Sequence, residues 1–253
     1  MKELKNLNGD NWDDHWVSHS DAASLNPAQK FRFQFISNIL AMKSINKDAG
    51  RIVDLGCGSG DLLRYFSSLK FGATLMGIEP STEGCSIAKS KNPNAMIIQA
   101  DIIHDDRFDE ILRTADAVVC TEVLEHLDNP EQLIFKVSQV INDNGLFIVS
   151  VPGGPRSAFD KYIGHRRHFS RTRLRKMLTT NGFSDVEVMA AGFPGFNIYK
   201  ICVMLLGRRL IVDSQSIARS GSATFASNIF GKLMSRSLTN SIFGWQLFAI
   251  ARR

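Results

Sequence analysis

Hydrophobic positions in this chain change period repeatedly. Ile52, Val53 and Leu55 make a short apolar run, and Leu62, Tyr65, Phe66 and Leu69 then recur at helical spacing. That is the pattern of a buried strand, Arg51–Leu55, followed by a helix. The alternation returns downstream, with strands expected at Ala73–Ile78, Ala95–Gln99, Asp116–Cys120 and Leu146–Val151. A helix over Pro130–Ile141 leads through Asn144 and Gly145 into the last of these. Pro130 suits a first helical position, where its missing N–H would have no partner anyway. Upstream, Asn26-Pro27 marks a turn, and Phe31, Phe35, Ile36, Ile39 and Leu40 form the stripe of a helix over about Ala28–Lys43. Downstream, Ser170 fits the N-cap of a helix running to Thr180, with Gly182 at its end, before a strand at Asp185–Ala191. Ile198, Ile201, Cys202, Leu205 and Leu206 again recur at helical spacing inside Ile198–Val212. Asp213–Ser222 reads as a loop, and a second, basic helix is expected over Ala223–Leu238. Strand and helix alternating in this way predict an α/β protein with a doubly wound, mostly parallel sheet covered on both faces.

Composition narrows the class. The 253 residues are 44% hydrophobic with a formal net charge of +5, enough for one well-cored domain and a cap. No run of 18 apolar residues suggests a membrane span, and the polar, acidic stretch Met1–Asp14 is unlike a signal peptide. Cys57, Cys85, Cys120 and Cys202 are scattered without zinc-ligand spacing, and read as reduced thiols of a cytoplasmic protein. The net charge conceals an asymmetry. Residues 1–151 hold 14 Lys/Arg against 21 Asp/Glu, whereas residues 152–253 hold 16 against 4. Such a basic second part either meets an anionic partner or is a solvated face.

The richest stretch chemically is R-I-V-D-L-G-C-G-S-G-D, Arg51 to Asp61. Gly56, Gly58 and Gly60 alternate directly after the strand, so the backbone can approach a ligand with no Cβ in the way. Asp54 adds a carboxylate to the same crevice, at the carboxyl ends of the strands, where a nucleoside or an amine would bind. The spacing is G-x-G-x-G, not the G-x-G-x-x-G of dinucleotide folds.

V-D-L-G-C-G-S-G-D resembles the first motif of class I S-adenosylmethionine-dependent methyltransferases, and the resemblance extends over roughly Arg51–Val151. It implies S-adenosylmethionine as cofactor and a seven-stranded Rossmann-like sheet whose last strand, Gly244–Arg252, runs antiparallel. It also implies a domain over 46–253, with 192–240 as a helical cap or insertion before that strand and 1–45 as an N-terminal arm and helix. Glu79, followed by Pro80, matches the acid that binds the ribose hydroxyls. Asp101 and Ile102 match the adenine position, and Thr121 and Glu122 the segment beneath the methionine part. With Asp54, Gly56, Cys57, Gly58 and Gly60, these complete the expected cofactor site. The four motifs occur in the family's order. S-L-N-P (Ser24–Pro27) resembles the N-terminal helix of ubiquinone-type O-methyltransferases. Those enzymes carry an arginine soon after Asn-Pro, where this chain has Gln29 and Lys30, with Arg32 further on. G-H-R-R-H-F-S (Gly164–Ser170) resembles a motif of small ubiquinone-like bacterial methyltransferases.

The acceptor side admits several readings. Glu122, Glu125 and His126 would share one side of a helix. With His165 and His168 they could hold a divalent metal, an arrangement that resembles the Glu-x-x-Glu-His site of small-RNA 2′-O-methyltransferases. Alternatively, His126 only lines the pocket. His126 and His165 are the candidate bases, since imidazole is available neutral near pH 7. Arg166 and Arg167 could grip an acceptor phosphate or carboxylate, or pair with acids near the sheet edge. Trp12, His15, Trp16 and His19 either fold over the cofactor as a lid or pin the arm to the body. The apolar helix near residue 200 either packs on the domain or lies at a membrane surface. The expected function is O-methylation of a small-molecule or lipid-linked, anionic amphiphilic acceptor by a cytoplasmic protein with peripheral membrane contact. An RNA 2′-O-methyltransferase using a Glu-Glu-His metal site and a non-catalytic cofactor-binding regulator are the alternatives. No aromatic-basic stacking platform favours nucleic acid, and the oligomeric state is open.

Overall fold

Seven strands hydrogen-bond into one sheet: β1 (Arg51–Leu55), β2 (Thr74–Glu79), β3 (Met96–Gln99), β4 (Ala117–Thr121), β5 (Leu146–Pro152), β6 (Asp185–Ala191) and β7 (Gln246–Arg252). The computed structural model describes residues 11–17, 26–45, 50–71, 73–205 and 229–253. The strand order is β3-β2-β1-β4-β5-β7-β6, with β7 antiparallel to both neighbours and the other pairs parallel. The helices are α1 (12–17), α2 (Pro27–Met42), α3 (Asp61–Ser68), α4 (Thr82–Lys91), α5 (Asp109–Arg113), α6 (Pro130–Val140), α7 (Ala158–Tyr162) and α8 (Arg171–Thr180). Further helical stretches, α9 (195–205) and α10 (229–235), lie between β6 and β7. Strand order reverses between β1 and β4, so their carboxyl ends open the crevice where ligands bind in such sheets.

The period of two along each strand sorts side chains into two cores. Val53, Val118, Cys120, Phe147, Val149, Leu247 and Ala249 face α6 and α8, meeting Leu133, Val137, Leu174 and Leu178. Ile52, Ala117, Val119, Leu146, Ile148, Phe248 and Ile250 face α2 and α3, meeting Phe35, Ile36, Leu40, Leu63 and Phe66. Phe35 stacks on Phe248 with ring centroids 4.0 Å apart. The Asn26 side chain accepts from the Ala28 N–H at 2.9 Å, capping α2. The same oxygen accepts from the Tyr199 hydroxyl at 3.0 Å, which ties α9 to the start of α2.

Two expectations change. Strands β2, β3 and β4 each begin one residue later than their periodicity suggests. More consequentially, Glu122–His126 is not helical. Glu122 adopts φ +55° while its N–H still donates to the Ser150 carbonyl at 2.9 Å, and residues 124–126 turn. The Glu125 carbonyl accepts from the Arg166 N–H at 2.8 Å, so it is engaged by the 164–167 segment rather than by a helix. The loop expected at Asp213–Ser222, the start of the 223–238 helix, and His19 and Ser24 lie outside the described residues. Among the described residues, no helix is long and apolar enough to cross a membrane.

Candidate active site

The glycine turn wraps the end of β2. The Gly56 and Cys57 N–H groups both donate to the Ile78 carbonyl, at 2.8 and 3.1 Å. Glu79 closes the turn from the other side. Its carboxylate accepts from the Gly58 N–H at 2.8 Å and the Ser81 N–H at 3.0 Å. Gly56 and Gly58 have φ of +78° and +52°, a region in which a side chain is strained. A Cβ on Gly56 would also lie 2.6 Å from Val123 Cγ2. Position 56 therefore requires glycine for conformation and for space.

Above this turn lies a cavity of about 300 Å³. Of the residues expected at the cofactor, Asp54, Gly56, Cys57, Gly58, Thr121 and Glu122 line it, and His126 and His165 line its far wall. Gly60, Glu79, Pro80, Asp101 and Ile102 do not. Glu79 is 5% exposed and sits beneath Trp16, which does line the cavity. Asp101 stands at the end of β3, where its carboxylate accepts from the Ile103 and His104 N–H groups at 2.8 and 3.2 Å. Burial pushes Asp101 up, but these bonds outweigh it and hold its carboxyl below the usual range. Arg166 and Arg167 clasp the turn after β4. The Arg166 guanidinium donates to the His126 carbonyl and pairs with Asp128 at 2.9 Å. Arg167 donates to the Asp128 carbonyl at 2.8 Å.

The floor is polar, and part of it was not evident from sequence. Gln246, fully buried at the start of β7, donates to Glu122 Oε1 at 2.9 Å and to the Val151 carbonyl at 3.1 Å. Ser150 also donates to Glu122, at 3.1 Å, and Arg32 approaches its other oxygen at 3.5 Å. A glutamine directly before the apolar run Leu247–Ala251 was the signal that could have pointed here. Arg32 Nε, Thr121 Oγ1 and Gln246 Oε1 are buried without a hydrogen-bond partner, which a polar ligand would relieve. Lys200 reaches the cavity from α9 and pairs with the fully buried Asp160.

His126 and His165 meet at the far wall, and His168 stands against His165 outside the cavity lining. The His126 and His165 rings lie 4.8 Å apart, edge to face, and His165 Nδ1 is 3.2 Å from His168 Nε2. Burial drives His126 down to about 4 and also lowers His165, with His126 adding to the effect. Glu125 is fully buried with neither carboxylate oxygen hydrogen-bonded. Burial, reinforced by the charge of Glu122, raises it well above the usual range. Ligand atoms of Glu125, His126 and His165 lie within 4.8 Å of one another, and so do those of Asp160, His165 and His168. Glu122 faces Arg32 and Gln246 instead, so the Glu-Glu-His set expected from a helix is not assembled.

Asp54 is pushed up to about 8 by burial and then by the nearby Glu79, and burial raises Glu79 to about 7 despite the bonds from Ser81 and Gly58. Both therefore hold protons in the folded state that the unfolded chain releases. Their stabilisation is complete below the ordinary carboxylate range and is lost as pH rises toward 8. The lowered histidines act oppositely, but only up to their unfolded value of 6.5. Between pH 7 and 8 the cofactor-free protein should therefore lose thermal stability, and Asp54→Asn should flatten that fall. Melting curves at several pH values check this; a melting temperature that rises over the window contradicts it.

A family model for the methyltransferase domain matches residues 28–188. The chain is 32% identical over 148 residues to the mitochondrial ubiquinone biosynthesis O-methyltransferase of Rattus norvegicus, covering 54% of this chain and 42% of that one. It thus spans less than half of this relative. Among solved structures, a putative sarcosine dimethylglycine methyltransferase from Galdieria sulphuraria superposes with a TM-score of 0.65 at 12% identity, over 96% of this chain and 98% of the other. The phosphoethanolamine N-methyltransferase 2 of Haemonchus contortus, in complex with S-adenosyl-L-methionine, gives 0.56 at 17% identity, over 96% and 60%. The strand order, the glycine turn at the switch point and the match over 28–188 agree: the chain belongs to the methyltransferase-domain family, among the class I S-adenosylmethionine-dependent methyltransferases.

Proposed function

We propose that the protein transfers a methyl group to a hydroxyl oxygen of an anionic, amphiphilic small molecule, phosphorylated or lipid-linked. The observation that supports this most is a cavity with the glycine turn on one wall and the paired His126 and His165 on the other. When bound, the cofactor supplies a methyl already activated by its sulfonium, so the protein mainly aligns the partners. Asp54, Gly56, Cys57, Gly58 and Gly60 would frame it, with Glu79 at the ribose and Pro80 turning the chain behind. Asp101 and Ile102 would take the adenine end, and Thr121 and Glu122 the methionine end. Arg32, with an unpartnered Nε facing this end, offers a donor for a carboxylate. Arg166 and Arg167 would act by holding the His126 turn, with an acceptor anion as their second role.

His126 is kept neutral by burial and so accepts a hydroxyl hydrogen bond, while the same burial makes it a weak base. That favours a second reading for the proton. The unpartnered Glu125 carboxylate, with His126 and His165, fits a divalent cation, which would lower the pKa of an acceptor hydroxyl.

An amphiphilic acceptor is suggested by α9. Phe196, Tyr199, Lys200 and Val203 line the cavity, whereas Ile198, Ile201 and Leu205 are exposed on the opposite side. Phe193 packs on Phe243 at 5.4 Å, so the exposed Phe243 and Ile242 adjoin this ridge. We place the ridge against the cytoplasmic face of a membrane, as part of a 192–240 insertion in a domain over 46–253, with 1–45 as arm and helix.

Transfer of labelled methyl into fractionated cell extract tests the reading, with and without a chelator. Label in lipid or small anionic metabolites supports it, and label in RNA overturns it. Loss with chelator assigns a cation to the Glu125 cluster. Intact cofactor binding with no label in any fraction points to the regulatory alternative.

A further inference from the structure

We infer that Trp16 occupies the ribose subsite when the N-terminal arm is closed, so the arm must swing away before a nucleoside can reach Glu79. This rests on the reading of Glu79 as the ribose acceptor. The indole touches the glycine turn and the start of α4 at once. A Cβ on Gly58 would lie 2.3 Å from Trp16 Cζ2, and one on Gly84 would lie 3.0 Å from Trp16 Cδ1 and 3.1 Å from Glu79 Cγ. The ring is thus in van der Waals contact with the backbone a ribose would approach, and no layer remains between them. A clamp closing over a bound nucleoside would leave such a layer. The consequence shows in exposure, since Trp16 lines the cavity while Glu79 is buried behind it.

The arm has its own latch. Asp13 accepts from the Ser81 hydroxyl at 2.6 Å and from the Glu83 N–H at 3.0 Å. Ser81 is the N-cap of α4, so Asp13 adds a carboxylate where the helix dipole favours one. The His15 ring bridges Trp12 and Trp16 at 5.3 and 5.0 Å, and Trp12 meets His126 edge-on at 4.9 Å. One short segment therefore covers the ribose end with Trp16 and the acceptor wall with Trp12. Opening for the cofactor and opening for the acceptor are coupled through α1.

A closed arm lowers apparent affinity by the fraction of molecules that are open. Titration of the full chain with S-adenosylhomocysteine tests this. Trp16→Ala should tighten binding by about tenfold or more, and Asp13→Ala should tighten it by a smaller factor. Unchanged or weaker binding by both variants overturns the gate. Adding Glu79→Ala to Trp16→Ala separates the two levels of the argument. Weaker binding in the double variant keeps the ribose reading whichever way the gate falls, and unchanged binding removes both. Tryptophan emission gives a second readout. Ligand should shift it to the red as Trp16 enters water, and Trp16→Phe should abolish most of that shift; an undiminished shift counts against the gate.

Discussion

Replacing Glu79 with alanine is expected to weaken S-adenosylhomocysteine binding by about tenfold to a hundredfold if one ribose hydroxyl bond is lost, and by about a hundredfold or more if both are. Each hydrogen bond to a charged acceptor is worth about 1.5–3 kcal/mol, and each 1.4 kcal/mol or so is tenfold in affinity. The carboxylate is well held for this task, because the Gly58 and Ser81 N–H groups fix both oxygens. The same bonds complicate the variant. Alanine leaves two buried donors without an acceptor, each costing about 1–3 kcal/mol, while it also removes a carboxyl that burial disfavours. The melting temperature must therefore accompany the titration, and the affinity of a folded Glu79→Ala protein is the deciding quantity. Affinity equal to the parent's would sink the assignment of Glu79 to the ribose.

The second large effect concerns turnover rather than binding. His126→Ala should lower kcat by about 10²–10⁴, the usual contribution of a positioned proton acceptor, with S-adenosylhomocysteine affinity nearly unchanged. The separation is geometric. His126 stands on the turn after β4, facing His165 and Trp12, whereas the glycine turn and Glu79 belong to β1 and β2. A parallel loss in Glu125→Gln and on chelation assigns the effect to a cation held by the cluster. A loss in His126→Ala alone, with chelator inert, assigns it to the imidazole. Unchanged turnover removes His126 from the chemistry and leaves it as pocket lining.

The contrast between these two sites shows where legibility ended. The glycine-turn side of the cavity was readable because its parts are local. A strand ends, glycines at alternate positions turn the chain, and the next strand ends in an acid. Once periodicity places the strands, Asp54, Gly58 and Glu79 are placed too. The acceptor side was readable only as a list. The residues Glu122, Glu125 and His126 were expected on one helical face. Instead Glu122 takes φ +55°, and its carboxylate joins Arg32 and Gln246, residues 90 and 124 positions away. Arg166 and Arg167 were left between an acceptor anion and an acid near the sheet edge, and both engage Asp128. Helical spacing was a sound guide to which residues are near in sequence, and could not report that the 164–167 segment would engage the carbonyl of Glu125.

The sequence by itself determined the alternation of strands and helices, the glycine turn and the strand-end acids. Each follows from local periodicity and from backbone conformations that glycine alone adopts without strain. The tertiary structure alone decided that β7 inserts between β5 and β6, which carries Gln246 to the floor of the site. It alone paired Lys200 with Asp160 and laid Trp16 over Glu79. The physical reason is that hydrophobic period reports which face of an element is buried, and not which element buries it. Contacts between distant segments depend on the packing of the whole sheet and its helices, so the glycine turn could be read in advance, whereas the aromatic arm stayed open between a lid and a tether.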